Sequence, residues 1–175
     1  VAMAQRTIIM LTLSALLLTV GYSTASSSSD HKGSGSDNLV GAWRSRVQFK
    51  TGSFSSVKDL EFLYAINPGG TMIESSNYDA APPVPPAYGV WRRLQPRQYE
   101  AKYVFFLSKA PKSFDEIAKG GGWSAGGSGV LVEKITLSED GKTFRSTITL
   151  DLFDEAGKPT ESNGQADTQA VRISF

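Results

Sequence analysis

The chain has no cysteine and a single histidine, His31, in 175 residues. No disulfide can brace the fold, so burial and backbone hydrogen bonds must hold it together. Clusters of Cys and His with metal-ligand spacing are excluded, and so is a Ser-His-Asp or Cys-His arrangement for nucleophilic catalysis. Charge of one sign is also scarce. The 18 bases and 17 acids give a net charge of +1 and are mixed along the chain. A nucleic acid or an anionic membrane surface therefore finds no electrostatic support. No metal ligands or catalytic residues are accordingly expected, no cofactor is indicated, and a non-catalytic protein is favoured.

One long apolar run is present, and it stands at the front. Arg6 supplies a positive start, Ile8 to Val20 are apolar apart from Thr and Ser, and Ser23-Thr24-Ala25 has the small-x-small pattern of a cleavage site. Residues 1–25 have the layout of a secretory signal peptide, with an uncleaved anchor as the alternative. The expected location is secreted or periplasmic, with no integral membrane association after cleavage. Residues 26–37 (SSSSDHKGSGSD) are a Ser/Gly linker with no apolar side chain, which cannot offset the entropy of ordering. His31 lies in this linker, where solvation is its expected state.

The remainder, 38–175, is one domain's worth of chain whose apolar residues alternate at period two between turn signals. Eight strands are expected, at about 39–50, 57–66, 71–78, 87–94, 98–107, 129–137, 143–153 and 165–174. Leu60, Phe62, Tyr64 and Ile66 alternate with Asp59 and Glu61, and Tyr99, Ala101, Tyr103, Phe105 and Leu107 share a face. The connections fall into two kinds. Asn67-Pro68-Gly69-Gly70, Gln95-Pro96-Arg97 and Glu139-Asp140-Gly141-Lys142 are tight, and the other connections are longer. In an up-and-down meander the tight turns then share one end of the sheet. The fold class is all-β: an eight-stranded antiparallel up-and-down barrel, with a two-sheet sandwich as its rival. Ser113-Phe114-Asp115-Glu116 is a capping-box pattern for one short helix between the fifth and sixth strands. The Gly-rich stretch after it, Gly120–Gly129, reads as a flexible loop.

Gly41-x-Trp43 at the opening of the first strand and Arg172 in the last resemble the signature of calycins, the lipocalin-like barrels. The resemblance implies that Trp43 plugs the closed end while Arg172 lies across it, with Gly41 part of the same closure. The chain departs from typical lipocalins in lacking a C-terminal helix and any disulfide. Its end at the last strand is nearer the streptavidin layout, without a Trp cluster for biotin. Haem-binding relatives need a proximal histidine, which is absent from the domain.

A barrel of eight strands has room for packed side chains or one small ligand. The expected partner is a small apolar or aromatic molecule, and the barrel is expected to be a monomer. Tyr64, Tyr88, Tyr103 and Phe105 are candidate wall residues, with Trp123 and Phe114 placed where a lid would lie. Strand phase puts Glu133 between Leu131 and Ile135 on the apolar face, where a carboxyl could orient a ligand or move a proton. The competing arrangement, and the one favoured, is a bulge that turns Glu133 outward. Asp167 and Gln169, in phase with Val171 and Ile173, are expected to line the entrance. Three function classes follow: a small-molecule binder, a structural or inhibitory domain with a filled interior, and a barrel isomerase or cyclase using a cavity carboxylate.

Overall fold

A computed structural model of the chain describes residues 37–78, 84–119 and 122–175. The signal-peptide segment, the linker up to residue 36 with His31, and Pro82 and Pro83 lie outside them. Eight strands form: β1 (Gly41–Phe49), β2 (Leu60–Ile66), β3 (Thr71–Ser76), β4 (Ala87–Gln95), β5 (Gln98–Lys109), β6 (Ser124–Leu137), β7 (Thr143–Phe153) and β8 (Pro159–Arg172). Each pairs antiparallel with the next, and β8 returns to β1 with Trp43 opposite Arg172, closing the sheet into a barrel. Closure satisfies every strand edge, which a sandwich cannot do.

The alternating code explains the walls. Leu60, Phe62, Tyr64 and Ile66 on β2 and Tyr99, Ala101, Tyr103 and Phe105 on β5 are all buried. Each large apolar side chain removed from water contributes roughly 1.5–3 kcal/mol. The inner face of β8 is different: Gly164, Ala166, Thr168 and Ala170 are its buried residues, and the last three line up across the sheet. They stand beside Ile148, Ser146 and Phe144 of β7 and Phe49, Val47 and Ser45 of β1. Small side chains there leave room for the Trp43 and Phe144 rings, whose centroids are 4.9 Å apart.

The tight connections at 67–70, 96–97 and 138–142 join β2–β3, β4–β5 and β6–β7 at one end. Two elements run further than their patterns suggest. β6 begins at Ser124 rather than near Gly129, pairing Ser124 with Lys109 past a bulge at Leu107/Ser108. A Gly-rich stretch can join a sheet when a neighbouring strand supplies the backbone partners, and here β5 does. β8 begins at Pro159 rather than near Gln165, so residues 154–158 form a short turn, pinned by Asp154 accepting the Ala156 and Lys158 backbone N–H groups.

The helix α1 (Phe114–Ala118) forms where the sequence puts it, but its capping differs. The Ser113 hydroxyl makes no capping bond; Glu116 instead accepts from the Lys112 backbone N–H at 2.9 Å. No residue of this helix is buried.

Candidate ligand site

The barrel interior divides into three levels. At the closed end Trp43 is fully buried, and its indole N–H donates to the Leu39 carbonyl at 2.9 Å. The Arg172 guanidinium carbon lies 4.1 Å from the Trp43 ring centroid. The same guanidinium donates to the carbonyls of Asn38 (2.6 Å), Val40 (2.7 Å) and Gly141 (2.9 Å), tying the chain entering β1 to the β6–β7 turn. Gly41 has a φ of +142°, and a Cβ there would stand 2.6 Å from Arg172 Nη1. Glycine is the residue that admits the guanidinium. Asp37, the last residue of the expected linker, is anchored here too. It pairs with Arg93 and accepts from the Arg97 backbone N–H and the Tyr99 hydroxyl, both at 2.9 Å.

The middle level is polar. Glu133 is fully buried and faces inward, so the outward bulge is not formed: β6 keeps regular register from Leu131 to Leu137 against β7. A bulge is unnecessary because the interior supplies donors. The Tyr103 hydroxyl donates to Glu133 Oε2 at 2.8 Å, and Ser146 and, at 3.4 Å, Tyr64 donate to Oε1. Ser146 is linked in turn to the Thr168 hydroxyl. Burial pushes the Glu133 carboxyl up, and the three hydroxyls oppose that shift. Burial also raises the phenols of Tyr64 and Tyr103, which stay protonated as donors.

Above this level, toward the longer loops, lies a small chamber of about 30 Å³. It is lined by Phe49, Leu60, Phe62, Phe105, Leu131 and Leu150 from the strands, with Glu74 and Ser76 from β3. Phe54 of the β1–β2 connection and Tyr78 and Val84 of the β3–β4 connection complete it. Phe54 lies 5.5 Å from Phe49 and 5.2 Å from Tyr78, ring centroid to centroid, so aromatic loop residues cover the mouth. Gly129 makes room for the Phe105 ring, which any side chain there would strike.

Glu74 is the residue that sequence reasoning passed over. Its side chain is 5% exposed, and Oε1 has no hydrogen-bond partner. Burial and then the Glu133 carboxylate push its pKa to about 8, so it is protonated at neutral pH. A period-two count from buried Met72 would have found it.

Of Tyr64, Tyr88, Tyr103, Phe105, Trp123 and Glu133, Phe105 alone lines the chamber. Tyr64, Tyr103 and Glu133 meet one level below. Tyr88 points outward at 64% exposed, because Ala87 and Gly89 take the inner face of β4 and Gly89 packs against Tyr103. Trp123 is 42% and Phe114 79% exposed, so neither covers the mouth. Asp167 and Gln169 face outward, where Asp167 pairs with Lys50. Arg172 fixes the true phase of β8, placing 170, 168 and 166 inside. Comparison with protein-family models, with curated proteins and with solved structures finds no match for this chain.

Proposed function

We propose that the protein is an exported, lipocalin-like, non-catalytic barrel that binds one small apolar or aromatic molecule in the chamber beside Glu74. The observation that carries this reading is the asymmetry of the interior. Strand side chains fill the closed half, whereas loop residues Phe54, Tyr78 and Val84 roof the chamber. Loops move more readily than strands, so the roof is the natural entry. Gly41, Trp43 and Arg172, set in a closed eight-stranded barrel, support the lipocalin likeness. The N-terminal apolar run and Ser23-Thr24-Ala25 support export, and cell fractionation with N-terminal sequencing tests it.

A chamber of about 30 Å³ holds something the size of a water. A larger guest requires Phe54 and Tyr78 to swing aside. That volume also favours a second reading, a filled barrel acting through its surface. For an isomerase or cyclase, Glu133 is held by three hydroxyls and does not line the chamber, so the carboxyl with reach to a substrate there is Glu74. Native mass spectrometry of the full chain, purified without detergent and compared with its denatured mass, tests the choice. Extra mass lost on denaturation is expected. A bare mass, together with no uptake of apolar or aromatic probes, would move the assignment to the filled barrel.

A further inference from the structure

Among the described residues, the buried polar side chains are Ser45, Glu74, Glu133, Ser146 and Thr168. Two are acids and none is a base. Glu133 has its three hydroxyl donors, but Glu74 has an oxygen with no partner in a chamber that no Lys, Arg or His lines. The titratable groups facing it are Glu133 on β6, Tyr64 on β2, Tyr103 on β5 and Tyr78 in the β3–β4 connection. None of them can neutralise a carboxylate. A buried acceptor without a donor costs about 1–3 kcal/mol, and a charged one more.

The surroundings indicate what would complete it. Phe49, Phe54, Phe62, Tyr78 and Phe105 line the same chamber. Aromatic faces attract a cation within about 6 Å of the ring centroid, and aromatic walls around a carboxylate suit an organic ammonium. The attraction strengthens where water is excluded.

We propose that the chamber takes a small primary amine in its ammonium form, its N–H groups donating to Glu74 and its apolar or aromatic body against Phe54, Phe62 and Phe105. The inference rests on the ligand-binding reading above and names the ligand's chemistry. The resting chamber has room for the ammonium head, and the body takes the space that Phe54 and Tyr78 vacate. Because Glu74 is protonated in the empty barrel at pH 7, ion-pair formation expels its proton to the buffer. Binding of an amine therefore releases close to one proton, while binding of a neutral alcohol releases none.

Isothermal titration calorimetry of the full chain with benzylamine, benzyl alcohol and benzoate at pH 7, in phosphate and in Tris, tests this. Benzylamine is expected to bind at least tenfold tighter than benzyl alcohol, with benzoate undetected. Its heat should differ between the buffers by the amount for one released proton. Glu74→Gln should lose at least tenfold for benzylamine and stay within twofold for benzyl alcohol. If that variant does not fold, the amine-to-alcohol ratio and proton count of the unmodified chain decide alone. Equal or tighter binding of benzyl alcohol, or no proton release, overturns the amine assignment and leaves the ligand-binding reading in place. No binding of any of the three, with a bare native mass, overturns both.

Discussion

The closed end and the open end of this barrel bury aromatic rings of similar bulk by different means. At the closed end Trp43 comes from a strand, packs at a tilt against Phe144, and is covered by Arg172, which holds three carbonyls from two chain segments. At the open end Phe54 and Tyr78 come from connections and are partly buried; Phe54 contacts both Tyr78 and Phe49, and among the described residues no side-chain hydrogen bond holds either ring. The polar groups divide the same way. Glu133, deep in the barrel, has three donors, while Glu74, near the mouth, has an oxygen left over. Of the two described buried acids, the satisfied one thus lies in the half that carries the fold and the unsatisfied one in the half with room for a guest, while the Ser45 hydroxyl is a second buried oxygen without a partner.

Truncation should expose this difference most strongly. Trp43→Ala is expected to cost about 3–5 kcal/mol in urea denaturation, as large-to-small changes in a packed core do. Phe54→Ala should cost well under half of that, because its ring is only partly buried and its neighbours can relax. Equal losses would break the comparison.

The pH dependence of stability comes next. Glu74 has its pKa raised to about 8 in the folded barrel, against an ordinary carboxyl value of 4.5. A raised acid contributes stability that is complete below its unfolded pKa and is lost as pH rises through its folded one. Between pH 4.5 and 8 the folded state holds a proton the unfolded state has given up, so stability falls by up to roughly 1.4 kcal/mol per pH unit. Urea midpoints measured across that range should fall with pH, and Glu74→Gln should flatten the curve. The midpoint rising with pH in the unmodified chain would contradict this. Glu133, raised in the same direction, adds to the slope that remains in the variant.

A smaller effect separates geometry from charge at the plug. Arg172→Lys keeps the cation but cannot reach the carbonyls of Asn38, Val40 and Gly141 with one planar fork. A loss of about 1–2 kcal/mol is expected in the same denaturation assay. The smallest effect is expected from Trp123→Ala, within about 0.5 kcal/mol, since that ring is substantially exposed and outside the chamber.

The barrel was readable in the sequence because its code is local. Period-two burial, three tight turns and the pairing of Gly41-x-Trp43 with Arg172 each constrain it separately. The site was less readable for two physical reasons. First, a polar side chain on a strand reads by default as facing out. Glu74 and Ser146 fall on the inner phase of β3 and β7, and Glu133 on that of β6, yet a carboxyl inside a barrel is plausible only once hydroxyls from other strands are seen beside it. Second, apolar residues were credited with facing in. On β8, Val171 and Ile173 drew Asp167 and Gln169 inward with them, whereas Val171 and Ile173 are about half exposed and the inner residues are alanine and threonine. The size of the Trp43 and Phe144 rings sets that choice, and no pattern within β8 reports it. The mouth was obscure for a related cause. Phe54 and Tyr78 are single aromatics in connections, whose docking depends on where the barrel rim places them.

The most direct test of the account is a two-dimensional ¹⁵N NMR titration of the full chain with benzylamine at pH 7, followed at the backbone and the indole N–H signals. Shifts concentrated at Phe54, Glu74, Tyr78, Leu131 and Leu150 are expected, with the Trp43 indole N–H unmoved. Shifts centred on Trp43 and Arg172, or none at concentrations that saturate calorimetric binding, would contradict a fixed plug at one end and a ligand chamber at the other.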